Sequence, residues 1–136
     1  MTFGLQSLVV ELLYAVTDRI DGDPTFFDAP LLLIFIDAVI LAPLIETLIA
    51  QTIPINLTQR FTTNPLIIVG VATVIFAVLH FLQGPLYVLY VLPTSIIFAL
   101  GYYLQTFERG SGYWPIVYAH AVHNGWVFLI VAAGRL

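Results

Sequence analysis

The chain has 136 residues, 60% hydrophobic and 9% charged, with four Arg, no Lys, no Cys and a formal net charge of −4. Soluble domains run at about 25% charged and about 45–50% apolar; a globule of this length has too little interior for such a surplus, and disorder fails on the same composition. Few cations and a negative balance exclude nucleic acid as a partner, and the missing Cys excludes disulfides, thiolate metal sites and a Cys nucleophile, which leaves a small integral membrane protein in one domain, residues 1–136.

In chain order, Leu5, Leu8, Val9, Leu12, Leu13 and Val16 recur at helical spacing, with Gln6, Ser7 and Glu11 elsewhere on the wheel. Residues 1–28 are therefore expected as a short amphipathic helix, on the membrane surface or against the bundle, followed by a solvated loop carrying Asp18, Arg19, Asp21 and Asp23. No positive residue precedes this apolar run and Glu11 interrupts it, so it does not read as a signal peptide.

Residues 29–136 form the transmembrane core. A spanning helix needs roughly 20 mostly apolar residues. Four stretches qualify, near Leu31–Ile53, Leu66–Leu82, Leu86–Gln105 and Pro115–Ala133. Breakers separate them: Asp28 to Pro30, Thr62 to Pro65, Gly84-Pro85 and Arg109 to Gly112. None alternates apolar and polar residues as barrel strands do. The expected fold is all-α, an integral membrane bundle of about four transmembrane helices plus the N-terminal amphipathic helix. Arg19 and Arg135 fall on one side and Arg60 and Arg109 on the other, so no positive-inside bias sets the orientation.

Few polar residues fall at membrane depth: Asp37, Glu46, Gln51, His80, His120, His123 and Asn124. A charge in hydrocarbon costs about 2.5–3.5 kcal/mol on insertion scales, so such residues are functional candidates by default. Glu46 reads as a general base governed by burial and a His neighbour; as a purely structural residue it would be protonated and bonded to a neighbouring helix. His120 and Asn124 share a helix face, an arrangement that packing hydrogen bonds also produce. His123 lies about 100° around the wheel from Asn124 and reads as a packing or supporting residue. His80 closes the run FAVLH one turn after Phe76 and is a weak signal alone. Asp37 faces nearly opposite to Glu46, about 13 Å away along the axis, and reads as a boundary or paired residue outside the site.

Together these pieces resemble the CPBP intramembrane proteases, the group that includes the type II CAAX prenyl endopeptidases and the bacteriocin-immunity and abortive-infection-like proteins. The family's first motif, two adjacent Glu followed by three residues and Arg after Ala-Pro, is matched by Ala42, Pro43 and Glu46, with Thr47 and Gln51 in place of the second Glu and the Arg. Its Phe-x-x-x-His motif is matched by Phe76 and His80. Its His-x-x-x-Asn motif is matched by His120 and Asn124, led by Gly110, Ser111, Trp114 and Pro115. The likeness covers roughly residues 38 to 130, and the third motif is its most specific part.

The resemblance implies an intramembrane endopeptidase of a multi-pass protein in a prokaryotic cell membrane, with the lipid bilayer and a peptide or membrane-protein substrate as partners. It assigns Glu46 and His80 to hold and deprotonate a water, and His120 and Asn124 to the oxyanion. That division agrees with the chemistry of hydrolysis, since neutral His and Asn donate N–H bonds without adding a carboxylate. Glu46, His80 and His120 also match a zinc site with an open position. With only one Glu retained in the first motif, the expectation is no cofactor. A non-enzymatic scaffold or immunity protein keeping the same fold is the alternative, and a proton or solute carrier using these residues as a relay is a third.

Depth constrains the site. His80 lies about 22 Å beyond Pro65, whereas Glu46 would lie only about 12 Å from that side if the first helix stopped at Pro54. The helix is therefore predicted to continue from about Leu44 to Phe61 with a bend near Pro54, and Gly110 to Trp114 to dip into the protein. Thr47 and Gln51 replace a balanced charge pair with a neutral one. If they are mutually adjusted, Thr47→Glu and Gln51→Arg made singly and together should show a coupling in thermal stability; simple additivity counts against it.

Overall fold

The computed structural model describes residues 30–81 and 84–134. The amphipathic helix and acidic loop expected within residues 1–28 lie outside the described residues. Among the described residues four helices follow one another. We label them α1 (Leu31–Thr58), α2 (Pro65–Leu79), α3 (Pro85–Arg109) and α4 (Tyr113–Ala133). The chain is an all-α integral membrane protein, and no strand occurs among the described residues. Three of the helices, α1, α3 and α4, are long and apolar enough to cross a membrane.

Helix α1 crosses two prolines without ending. A proline inside a helix lacks an N–H and collides with the carbonyl four residues back. The chain widens before each one into a π-helical segment, Ile36–Leu41 ahead of Pro43 and Thr47–Thr52 ahead of Pro54. The amides of Ala42 and Ile53 reach back five residues, to the Asp37 and Leu48 carbonyls. The extra residue in each wide turn moves the obstructing carbonyl aside. The adjustment expected at Pro54 thus takes the form of a π segment, and the helix runs on to Thr58.

The other ends are set by local chemistry. The Asn64 side chain accepts the Leu66 amide at 3.0 Å, with Pro65 in the first turn of α2. Gly84 takes φ 115° ahead of Pro85, which opens α3. Gly110 closes α3 in the left-handed region at φ 75°, where a side chain would be strained.

Helix α2 has 15 residues. That is about 22 Å of helix, against a hydrocarbon core of ~30 Å. The helix is therefore shorter than that core, and His80 sits at its C-terminal end. One core layer joins all four helices: Ile55, Ile68, Ala72, Phe98, Ala99, Tyr102 and Ile116. A thinner layer of Ala50, Phe76 and Val91 lies nearer the α2–α3 connection. The N-terminal half of α1 packs chiefly against α4. Leu32, Leu33, Val122, Trp126 and Leu129 are exposed there, an apolar exterior suited to lipid rather than water.

Among the described glycines, Gly112 lies tightest against its neighbours. A Cβ there would fall 2.6 Å from the Tyr102 carbonyl oxygen and 2.8 Å from its Cα. Backbone atoms cannot step aside, so Gly112→Ala is expected to cost about 1–3 kcal/mol. A Cβ at Gly70 meets nothing within 4 Å, so Gly70→Ala should hold or raise stability. Thermal unfolding of both variants in detergent checks the contrast.

Candidate active site

Three helices deliver one side chain each to a common point. Glu46 sits on α1 between the two π segments, His80 on the residue that ends α2, and His120 two turns into α4. Glu46 Oε2 lies 3.7 Å from His80 Nε2 and 3.7 Å from His120 Nε2. Both imidazoles are buried, while the Glu46 side chain keeps 26% of its surface exposed. These gaps are too long for direct hydrogen bonds, which close at about 2.7–3.2 Å. They suit three polar groups facing one small shared space that a water can bridge.

The hydrogen bonds behind the imidazoles set their roles. His80 Nδ1 lies 2.8 Å from the Phe76 carbonyl oxygen. A carbonyl only accepts, so Nδ1 carries the proton, and in the neutral ring the Nε2 lone pair points toward Glu46. Phe-x-x-x-His spacing is what makes this possible, since the acceptor is the carbonyl one turn back on the same helix. His120 differs: its Nδ1 is buried without a protein partner, so its Nε2 is free to carry the proton toward the shared space. One His therefore presents an acceptor and the other a donor.

Aromatic rings wall the site. His80 stacks on Phe76, with ring centroids 4.6 Å apart, and on Tyr87 at 5.6 Å. Phe98 lies against His120 at 4.8 Å. Tyr87 and Phe98 belong to α3, which the sequence motifs leave without a role. Nothing in the spacing of a single chain singles out two aromatics among so many on that helix, because their importance arises from contact with other helices.

Asn124 is placed apart from Glu46. Its Nδ2 donates to the Ala38 carbonyl at 2.8 Å, eight residues and about 12 Å of helix axis from Glu46. The first π segment explains why that carbonyl needs a donor. The Ala42 amide, its ordinary partner, bonds Asp37 instead, and the next residue, Pro43, has no N–H. Asn124 satisfies the carbonyl and pins α4 to α1. Tyr113 Oη adds a second tie, donating to the Leu44 carbonyl at 3.2 Å.

The remaining candidates lie elsewhere. His123 is exposed, edge-on to Phe98 at 6.1 Å, and lines a groove of about 560 Å³ with Phe35 and Trp126. Asp37 is exposed in the first π segment and has no ion pair among the described residues. Gln51 is fully buried one turn beyond Glu46. Among the described residues, no group of three His, Cys, Asp or Glu side chains is arranged to hold a metal ion. Gly112 is buried and Tyr113 half-buried, while Gly110, Ser111 and Trp114 are exposed, so only the middle of that segment dips into the protein.

Asn124→Ala should lower stability by about 1–3 kcal/mol, the cost of stranding a half-buried carbonyl. Pro43→Ala supplies an amide at the right position, so adding it to Asn124→Ala should recover part of the loss. A double-mutant cycle by thermal unfolding that shows no coupling would remove the link between Asn124 and the proline.

A family model described as Rce1-like, type II CAAX prenyl endopeptidase Rce1-like, matches residues 28–126. No curated protein matches the chain, and no solved structure does.

Proposed function

The chain belongs to the Rce1-like family of type II CAAX prenyl endopeptidases, and on that premise we propose that it hydrolyses a peptide bond within the membrane using Glu46, His80 and His120. The observation that carries this reading is the single carboxylate oxygen of Glu46 lying 3.7 Å from the Nε2 atoms of two histidines on two other helices.

In the proposed mechanism a water sits in the shared space, donating to the Glu46 carboxylate and the His80 Nε2 lone pair. Glu46 takes a proton as the water oxygen attacks the scissile carbonyl carbon. His120 Nε2–H donates to the oxyanion that forms. The peptide C–N bond then breaks, and Glu46 returns the proton to the departing amine. Asn124, the fourth residue of the family motifs, is proposed as a positioning residue, since it holds the Ala38 carbonyl and thereby the placement of His120 against α1. No metal takes part in this scheme. The substrate class is a peptide or membrane-protein segment, lipidated or not, and the proposed location is a prokaryotic cell membrane.

Thr47 and Gln51, which stand where the family pattern has Glu and Arg, favour a second reading: a membrane scaffold that keeps the fold without turnover. A peptide-cleavage screen with purified protein separates the two. Removal of the base in Glu46→Gln, or of the water-holding group in His80→Ala, should cut kcat by about 10²–10⁴. Removal of the oxyanion donor in His120→Ala should cut it by about 10²–10³. Wild-type protein that folds yet cleaves nothing, and whose cellular phenotype survives all three substitutions, would support the scaffold. Chelator should leave cleavage intact; activity lost in chelator and restored by zinc would overturn the metal-free scheme.

A further inference from the structure

Beyond the Glu46 site, the buried faces of α1 and α2 carry polar atoms that no protein group answers. Thr47 and Gln51 are fully buried, at 0% exposure, and Thr73 on α2 is 8% exposed. Thr47 Oγ1, both amide atoms of the Gln51 side chain and Thr73 Oγ1 are each without a hydrogen-bond partner in the protein.

These atoms occupy neighbouring levels of the bundle. Helices α1 and α2 run antiparallel: Glu46 faces His80, Ala50 clusters with Phe76, and Ile55 clusters with Ala72. Gln51 and Thr73 both fall between the Ala50–Phe76 contact and the Ile55–Ala72 contact. Thr47 lies one turn nearer the site, beside Glu46 itself. Buried Ser95 of α3 falls in the same interval, between Val91 of the upper layer and Phe98 of the lower one. A polar stratum is thus enclosed between two apolar ones.

Left dry, each of these atoms forfeits its hydration with nothing in return. Buried polar groups that lack protein partners in native structures are bridged by ordered water, whereas apolar cavities stay empty. We propose that Thr47, Gln51 and Thr73 form a binding site for buried water about one helix turn from Glu46. The Gln51 amide offers both donors and an acceptor, and each threonine hydroxyl offers one donor and accepts as well. This hydration stands on the packing alone. A role as the store that refills the Glu46 space after each turnover, in a slab without bulk water, rests on the function proposed above.

The test uses the full chain in detergent without substrate, so its outcome is separate from that of the cleavage screen. Thr47→Val, Gln51→Leu and Thr73→Val replace each group by an apolar one of similar shape, with Thr73→Ser as the conservative control. Removing one partner of a shared water strands the others. Each apolar variant is therefore expected to lower Tm, pairs of them to lower it by less than the sum, and Thr73→Ser to keep it. Infrared difference spectra in ordinary and ¹⁸O-labelled water should show internal-water O–H bands in the wild type that Gln51→Leu removes. A Tm that rises in Thr73→Val and Gln51→Leu, as it must when a dry polar group is deleted, overturns the proposal. So do internal-water bands that are absent in the wild type or unchanged in Gln51→Leu.

Discussion

A carboxyl group inside a bilayer protein must be met by polar groups from other helices, because lipid offers none. Glu46 imposes that condition on the whole bundle. Its partners come from the end of α2 and the body of α4, so α1, α2 and α4 must converge at one depth. Apolar packing does not fix such a depth, since lipid tails compete equally with Leu and Val for every apolar face. The layers around Ile55 and Ala50 are apolar; the meeting of a carboxylate with two imidazoles is what requires one depth. Helix α3 brings no charge to this point and contributes the rings of Tyr87 and Phe98 that hold the imidazoles in place.

Convergence at one depth in turn needs a first helix with unusual internal geometry. Pro43 and Pro54 stand eleven residues apart on either side of Glu46, and each is preceded by a π segment. The wide turns keep α1 continuous across both prolines, at the expense of carbonyls left without ordinary helical partners. Ala38 is one, and Asn124 reaches across from α4 to serve it. A backbone defect in one helix is thereby converted into a specific bond to another. The second wide turn carries Thr47 and Gln51 into the core, where their polar groups lie next to Glu46.

Much of this was legible beforehand. The four helices, their breakers and their order follow from hydrophobic runs longer than any soluble core requires, and the structure shifts their ends by only a few residues. The need for α1 to continue past Pro54 followed from depth arithmetic on Glu46 and His80. A His neighbour for Glu46 was suggested by residue type at membrane depth, and its pairing with His80 and His120 by the resemblance to the family motifs. The destination of Asn124 was not, because its partner is a backbone carbonyl whose availability depends on a π turn, and π turns leave no residue-type signature. Spacing alone placed His120 and Asn124 on one face; one turn of helix separates them enough that the first meets Glu46 and the second meets Ala38. Helix α2 was read as a full span, whereas it stops at His80, since the apolar run continues past that residue into Phe81 and Leu82 and so hides the end of the helix.

The sequence by itself determined that this is a membrane protein, that its spans are helical, and that its few intramembrane polar residues are the candidates for function, because the cost of polar groups in hydrocarbon acts residue by residue and is independent of fold. Only the tertiary structure decided which of them meet. It brought Glu46 to His80 and His120, turned Asn124 to a carbonyl freed by Pro43, left His123 and Asp37 on the surface, buried Thr47 beside Glu46, and enclosed Gln51 and Thr73 between apolar layers. Those outcomes depend on helix register, on the phase shift added by each π segment, and on the early end of α2, all of which are settled between helices rather than within them.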